Sequence, residues 1–313
     1  MDTSNEIQIA PKVKVIKSSS FYLIAVIIAI LLWSTSFVGT KIAYNSFPPL
    51  TLGAARFVIA SLILGAIMLS RKEFIRPAPK DIGLMALSGI LGTTLYFALE
   101  NIGLELTTAS SAALIVASYP AIAALMEFIF FRVKISWLKG LGIVMAIAGV
   151  YQISGGSSGG IAGNLTGNLI LILAGVVFAA YNFTTRKVVK NYSMVTVSFY
   201  QTIAGTLAFL PLAWIERARW QVPSTESLWT LLYLGVFCSV AAFMLYNYGL
   251  RNLSSGTAMA LMNLVPLFGV IFSTLFLHEV LHIFDLIGGM IIIVGVILSV
   301  QEKFTGGRKT KVQ

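Results

Sequence analysis

Few residues in this sequence could do covalent chemistry. His278-Glu279-Val280-Leu281-His282 fits H-E-x-x-H, in which two histidines one helical turn apart hold zinc and the glutamate activates a water. An intramembrane zinc peptidase using His278, Glu279 and His282 is therefore one reading of the chain. Zinc needs a third ligand. The chain has no other histidine, and Asp285 is a weak candidate. Val280 and Leu281 fall where two apolar runs are joined, so the helix that the motif needs is expected to break there. We expect neither a metal nor a catalytic residue.

The remaining chemistry is that of binding. Ser154 to Gly163 looks like a glycine-rich phosphate loop, but no Lys-Ser or Lys-Thr follows it, so no nucleotide or other cofactor is expected. Cys238 is the only cysteine, which excludes an intramolecular disulfide or a cysteine metal cluster. Arg56 lies inside an apolar run, where an unpaired charge costs a few kcal/mol. It could attract a carboxylate or phosphate, snorkel outward, or pair with Glu100 or Glu105. Glu127 lies near Arg132 at the end of another run, and an ion pair is expected there rather than a proton-coupling site.

The elements that carry these residues follow from composition. Of the 313 residues, 57% are hydrophobic and 11% charged, against roughly a quarter charged in soluble domains. Apolar runs of about twenty residues, enough to cross the hydrocarbon core, are expected at 21–42, 49–70, 82–102, 107–131, 137–154, 166–187, 194–215, 228–249, 254–277 and 283–301. The formal charge of +10 sits in short connectors, with no basic face interleaved with aromatics, so the partner is the lipid bilayer and not nucleic acid.

Placing the N-terminus inside puts Lys12, Lys14, Lys17, Arg71, Lys72, Arg132, Lys134, Arg186, Lys187, Arg251 and Lys303 among 18 basic residues on the inner side, against Lys41, Arg217 and Arg219 outside. The positive-inside rule then gives two cytoplasmic termini. The first apolar run is too long for a typical signal-peptide core. The expected organisation is a cytoplasmic tail (1–20), a first five-helix unit (21–154), an external Gly/Ser-rich linker (155–165), a second unit (166–301) and a basic cytoplasmic tail (302–313).

The two units match at one fixed offset of 146 residues: Gly89 with Gly235, Phe97 with Phe243, Asn101 with Asn247, Gly103 with Gly249, Pro120 with Pro266, Gly142 with Gly288 and Gly149 with Gly295. Five spans is an odd number, so the second copy enters the membrane from the opposite side. The expected fold is all-α, with ten transmembrane helices in two inverted five-helix repeats, a plan that recurs in secondary transporters.

Leu32-Trp33-Ser34-Thr35-Ser36-Phe37, Pro48-Pro49 with Arg56-Phe57, Thr108-Ala109-Ser110-Ser111-Ala112 into Pro120, and Ser254-Ser255-Gly256-Thr257-Ala258 into Pro266 followed by His278-Glu279 resemble the EamA-type branch of the drug/metabolite transporter superfamily. The resemblance covers nearly the whole chain after residue 20. It departs from the family at Phe131-Arg132, where Gly-Glu is usual. It implies export of amino acids, other metabolites or toxic compounds, and a bacterial inner membrane. Uptake or exchange is the alternative.

Interpolation along the spans puts Trp33, Ser34, Tyr119, Pro120, Tyr181, Asn182 and Asn263 to Pro266 near the midplane. With Arg56 these form the candidate substrate site. Proline lacks an amide proton, so Pro120 and Pro266 should free the carbonyls of Val116 and Met262, which is tolerated in a membrane only inside protein or beside a wet cavity. The absence of a fixed pair of opposite charges at that depth favours neutral or zwitterionic cargo. Small residues suit packing within one chain or in a homodimer, and coupling to a proton or countersubstrate is left open by the sequence.

Overall fold

The computed structural model describes residues 19–70, 76–133, 135–155, 165–188, 191–249 and 261–300, and every regular element among them is helical. The first half comprises α1 (Ser19–Ala43), α2 (Pro49–Ser70), α3 (Pro79–Gly89), α4 (Tyr96–Leu106), α5 (Ala109–Val116), α6 (Tyr119–Phe131) and α7 (Trp137–Gly155). The second comprises α8 (Leu165–Thr185), α9 (Met194–Ile215), α10 (Thr225–Tyr233), α11 (Ala242–Gly249), α12 (Leu264–Leu277) and α13 (Ile283–Val300). Both terminal tails, most of the linker, Ser254 to Ala258 and several basic residues of the charge pattern, among them Lys12, Arg71, Lys134, Arg251 and Lys303, lie outside the described residues.

Among the described residues, seven helical runs are long and apolar enough to cross a membrane: Ser20–Ala43, Pro49–Ser70, Pro79–Leu106, Ala109–Phe131, Leu165–Thr185, Met194–Ile215 and Thr225–Tyr246. Three further apolar helices, Trp137–Ile153, Leu264–Leu277 and Ile283–Ser299, are shorter. Large apolar side chains such as Leu62, Leu69, Ile147, Leu207, Leu275 and Met290 are exposed on the outward faces, where lipid rather than water would meet them.

Local chemistry sets the helix ends. Pro49 and Pro79 open α2 and α3 at first-turn positions, where the missing N–H costs nothing. Thr108, Ser193 and Ser224 accept the amide protons of Ser111, Thr196 and Ser227, which caps α5, α9 and α10. The run expected over 107–131 is interrupted: α5 stops at Val116 and α6 starts at Tyr119, so Pro120 stands in a first turn rather than inside a helix. Asn263 likewise precedes α12, with Pro266 in its opening turn. Both prolines thus mark helix restarts.

Several features recur 146 residues apart. A π-helical turn at Ile90–Leu95 joins α3 to α4, and another at Leu234–Ala241 joins α10 to α11. The two non-glycine residues with positive φ among those described, Arg132 (51°) and His278 (53°), end α6 and α12. Helices α7 and α13 pack closely along their length, and they do so through glycines. A Cβ on Gly149 would stand 2.6 Å from the Gly288 carbonyl oxygen, and one on Gly295 would stand 2.6 Å from that of Gly142.

Polar ties join helix ends that the charge pattern assigns to one side. At the end expected outside, Glu216 accepts from the Thr51 amide at 2.8 Å, and Arg219 meets Glu105 at 2.5 Å. At the end expected inside, Tyr192 donates to Asp81 at 2.6 Å, while Glu127 pairs with Arg186 at 3.3 Å and Lys139 at 3.8 Å. The ion pair expected for Glu127 is present, with Lys139 and Arg186 as partners. The contact with Arg132 is its backbone amide donating to the Glu127 carbonyl, as a helix C-terminus requires.

Candidate functional site

The H-E-x-x-H segment is not the continuous helix on which that motif holds zinc. His278 ends α12 in a left-handed conformation, and residues 279–282 are not helical. The two histidines are therefore not stacked on one helix face. The Glu279 carboxylate is used elsewhere. It accepts from the amides of Ala109 and Ser110 at 2.7 and 2.9 Å and from the Ser110 hydroxyl at 2.6 Å. A carboxylate on the free amides of a helix N-terminus is a favourable cap, here holding α5 to the end of α12. Asp285 is bonded to the His282 amide at 3.2 Å. Among the described residues, no group of three or more His, Cys, Asp or Glu gathers as a metal site.

Arg56 is the centre of a second constellation. It is only 5% exposed, so it does not snorkel to water. Its Nε donates to Ser239 Oγ at 2.5 Å, and its guanidinium lies 4.9 Å from the Phe97 ring and 5.7 Å from that of Phe57. The Ser239 hydroxyl donates in turn to the Leu234 carbonyl at 2.9 Å, a bond that the π-helical turn makes available. Neither expected carboxylate pairs with it. Glu105 is held by Arg219, and Glu100 accepts from the Tyr96 hydroxyl at 2.6 Å. Glu100 is near enough to feel the charge of Arg56, yet no carboxylate of the described residues forms an ion pair with it.

The magnitudes leave this cation undercompensated. Two ring faces contribute about 0.5–2 kcal/mol each, whereas the effective penalty of burying an ion is several kcal/mol. Nη1 and Nη2 have no acceptor among the described residues. They are not sealed either: the one fully sealed side-chain polar atom without a partner among those residues is Asn168 Nδ2. The two amino groups of Arg56 therefore border accessible space.

From Phe97 an arc of rings leads away. Tyr96 contacts Phe97 at 4.7 Å, Phe178 at 5.0 Å and Tyr119 at 6.2 Å between centroids, and Phe178 contacts Tyr181 at 5.8 Å. The arc thus draws on α4, α6 and α8. Tyr119 is fixed by donating to the Leu171 carbonyl at 2.9 Å, and the ring of Tyr181 lies directly over Gly92. Trp33 approaches from the other side of Ser239, donating to the Cys238 carbonyl at 3.2 Å and packing edge-on to Phe243 at 5.1 Å.

The structure therefore links Arg56, Tyr119 and Tyr181 through one chain of ring contacts and places Trp33 near it. The other sequence candidates sit differently. Ser34 is fully buried, and its hydroxyl is directed at the carbonyls of Ile30 (2.8 Å) and Val265 (3.1 Å), the latter beside Pro266. Asn182 donates to the Phe178 carbonyl of its own helix at 2.8 Å. Asn263 and Pro120 are half-buried at the two helix restarts. Sequence reasoning did not single out Tyr96, Phe97, Phe178 and Ser239 as site residues. An aromatic residue in an apolar span carries no signal until its neighbours from other helices are known.

Two surface depressions lie apart from the arc. One of 490 Å³ is formed by α2, α9 and α10 around Thr51, Leu210, Trp214 and Trp220. The other, of 410 Å³, surrounds Glu127, Phe131 and Arg186.

The chain resembles proteins named as transporters. An uncharacterized transporter of Archaeoglobus fulgidus is 29% identical over 282 residues, 88% of this chain and 96% of the relative. The probable terminal-alkyne amino-acid exporter of Streptantibioticus cattleyicolor is 27% identical over 91% of this chain and 95% of its own. The S-adenosylmethionine/S-adenosylhomocysteine transporter of Chlamydia trachomatis is 30% identical over 79% of each. One solved crystal structure shares the fold, with a TM-score of 0.63 at 19% identity over 92% of this chain and 99% of that one. The family and these names point to transport rather than enzymatic turnover. The EamA-like transporter family model matches residues 20–155 and again residues 165–301, and the chain is a multi-pass membrane protein that belongs to that family.

Proposed function

We propose that this protein is a secondary transporter that exports small metabolites such as amino acids, by alternating access at a centre between two inverted five-helix repeats. The observation that carries the reading is a buried cation, Arg56, without a carboxylate partner among the described residues and beside an arc of aromatic rings, inside a helical frame whose two halves both match the family model. Repeats related by an axis in the membrane plane can exchange conformations and open one central site to either side.

Ten spans are supported by the three shorter apolar helices beside the seven long runs, two of which, α7 and α13, pack on each other. The recurrence of π-helical turns, left-handed caps and glycine crossings at one offset supports the duplication. The double family match supports units near 21–154 and 166–301. Cytoplasmic termini in a bacterial inner membrane are supported by the charge asymmetry, and by polar ties that join helix ends of one expected side only. Export is supported by the relative named as an amino-acid exporter. In this reading Trp33, Arg56, Tyr119 and Tyr181 face cargo, while Ser34, Pro120, Asn182, Asn263 and Pro266 shape the helix restarts around it. Coupling to a proton or countersubstrate belongs to the same reading.

The test is metabolite release. Cells expressing the wild type should accumulate in the medium a compound that cells expressing Asn263→Trp, at matched membrane abundance, do not release. Equal release by both across a broad panel would sink the export reading and favour uptake or exchange, read by the direction of flux of labelled compounds.

A further inference from the structure

The fold does not need a charge at Arg56. At the repeat offset of 146 residues its counterpart is Thr202, on α9, which packs against the first π-helical turn as α2 packs against the second. The counterpart of Ser239 is Thr93, and that of Phe97 is Phe243. Equivalent positions in the two halves thus share the polar residue and the ring, and only one carries the guanidinium. The wall is equally one-sided. Tyr96, Tyr119, Phe178 and Tyr181 have Ala242, Val265, Leu32 and Thr35 as counterparts. A shared packing requirement would put similar residues in both halves. A ligand with a charged end and an apolar body would not.

The carboxylates of the described residues are otherwise accounted for around this cation. Glu105, Glu216 and Glu279 are committed at the expected outer ends, Glu127, Asp81 and Asp285 bond other groups, and Glu226 is exposed in the first turn of α10. Glu100 alone is near, with its oxygen taken by Tyr96. Arg56 is buried, anchored through Nε, flanked by rings and open at Nη1 and Nη2. That is the geometry of a fork prepared for a planar two-oxygen anion, which guanidinium binds through two parallel hydrogen bonds.

Resting on the transport reading, we propose that Arg56 is the anion subsite for cargo. The carboxylate of an amphiphilic monocarboxylate binds Nη1 and Nη2, and its apolar or aromatic body lies along Phe97, Tyr96, Tyr119, Phe178 and Tyr181. Glu100, bonded to Tyr96 and near Arg56, would suit an ammonium, so α-amino acids with apolar side chains fit as zwitterions. Compounds lacking the carboxylate bind poorly.

The experiment uses the full chain in lipid nanodiscs, with calorimetric binding of 3-phenylpropionate, phenylalanine, phenylalaninamide and sodium chloride. The expected result is that both carboxylates bind at least tenfold tighter than phenylalaninamide, that chloride at matched concentration does not compete, and that Arg56→Gln brings the carboxylate-to-amide ratio close to one. Ligand-free Arg56→Gln should melt no lower than the wild type, since a charge without a counter-ion has been removed. Arg56→Lys, which keeps the charge but not the fork, should retain part of the preference. A wild-type ratio near one, a tenfold preference that survives Arg56→Gln, protection by chloride alone, or a preference lost only because Arg56→Gln and Arg56→Lys both unfold would overturn the subsite. Flux of other panel compounds that persists through any of these results would leave transport standing. The absence of both binding and flux for every compound would remove both.

Discussion

At the residue scale, the most informative side chains are those whose apparent chemistry and actual contacts differ. Glu279 reads as the base of a zinc motif, yet its two oxygens hold the start of α5. Bonds from backbone amides to a charged acceptor contribute about 1.5–3 kcal/mol each when the partner is lost. Glu279→Ala should therefore destabilise the protein by about 2 kcal/mol or more, measured as a lower melting temperature in detergent. His278→Ala should have a much smaller effect. If the two substitutions destabilise equally, the contact between Glu279 and α5 is not what ties α12 to the first half. Pro120 and Pro266 were legible as breaks because the missing N–H is a property of the residue itself. The fate of Arg56 was not legible: the sequence left a bound anion, snorkelling, Glu100 and Glu105 open, and only burial and distance set the last three aside.

At the element scale, glycine spacing carries much of the repeat, and the structure supplies its reason. Gly142 and Gly149 on α7 meet Gly295 and Gly288 on α13 so closely that no side chain fits between the backbones. Gly149→Leu should cost at least the 1–3 kcal/mol typical of overpacking and separate the two helices. Gly149→Ala should already lower the melting temperature in detergent, since its Cβ would meet the Gly288 carbonyl oxygen at 2.6 Å. A wild-type melting temperature for both variants would contradict the crossing. The glycines were readable because each matched itself at one offset. The aromatic arc was not, because its rings come from helices far apart in sequence and four of them, Tyr96, Tyr119, Phe178 and Tyr181, have non-aromatic counterparts in the other half. The interruption of the run at 107–131 was readable as a proline position, but the separation into α5 and α6 came only with the coordinates.

At the scale of the whole molecule, two polar belts hold the bundle: Thr51, Glu105, Glu216 and Arg219 at one end, and Asp81, Glu127, Arg186 and Tyr192 at the other. In the proposed topology, which follows the charge asymmetry of the sequence, the first belt is outside. With Cys238→Ser as background, Val222→Cys, at a position 93% exposed, should react with a membrane-impermeant maleimide in intact cells. Lys187→Cys should react only after permeabilisation. The reverse pattern would invert the topology and with it the direction of export.

The central claim, movement of a small metabolite through one site that opens alternately to either side, is tested most directly by counterflow. Proteoliposomes holding the purified chain, without nucleotide, would be preloaded with the unlabelled compound released by expressing cells and then diluted into a trace of the labelled compound. The account predicts transient accumulation of label above its equilibrium level, abolished by Asn263→Trp. Label that only rises to equilibrium, unaffected by preloading, would contradict alternating access and leave a passive pore or no transport at all.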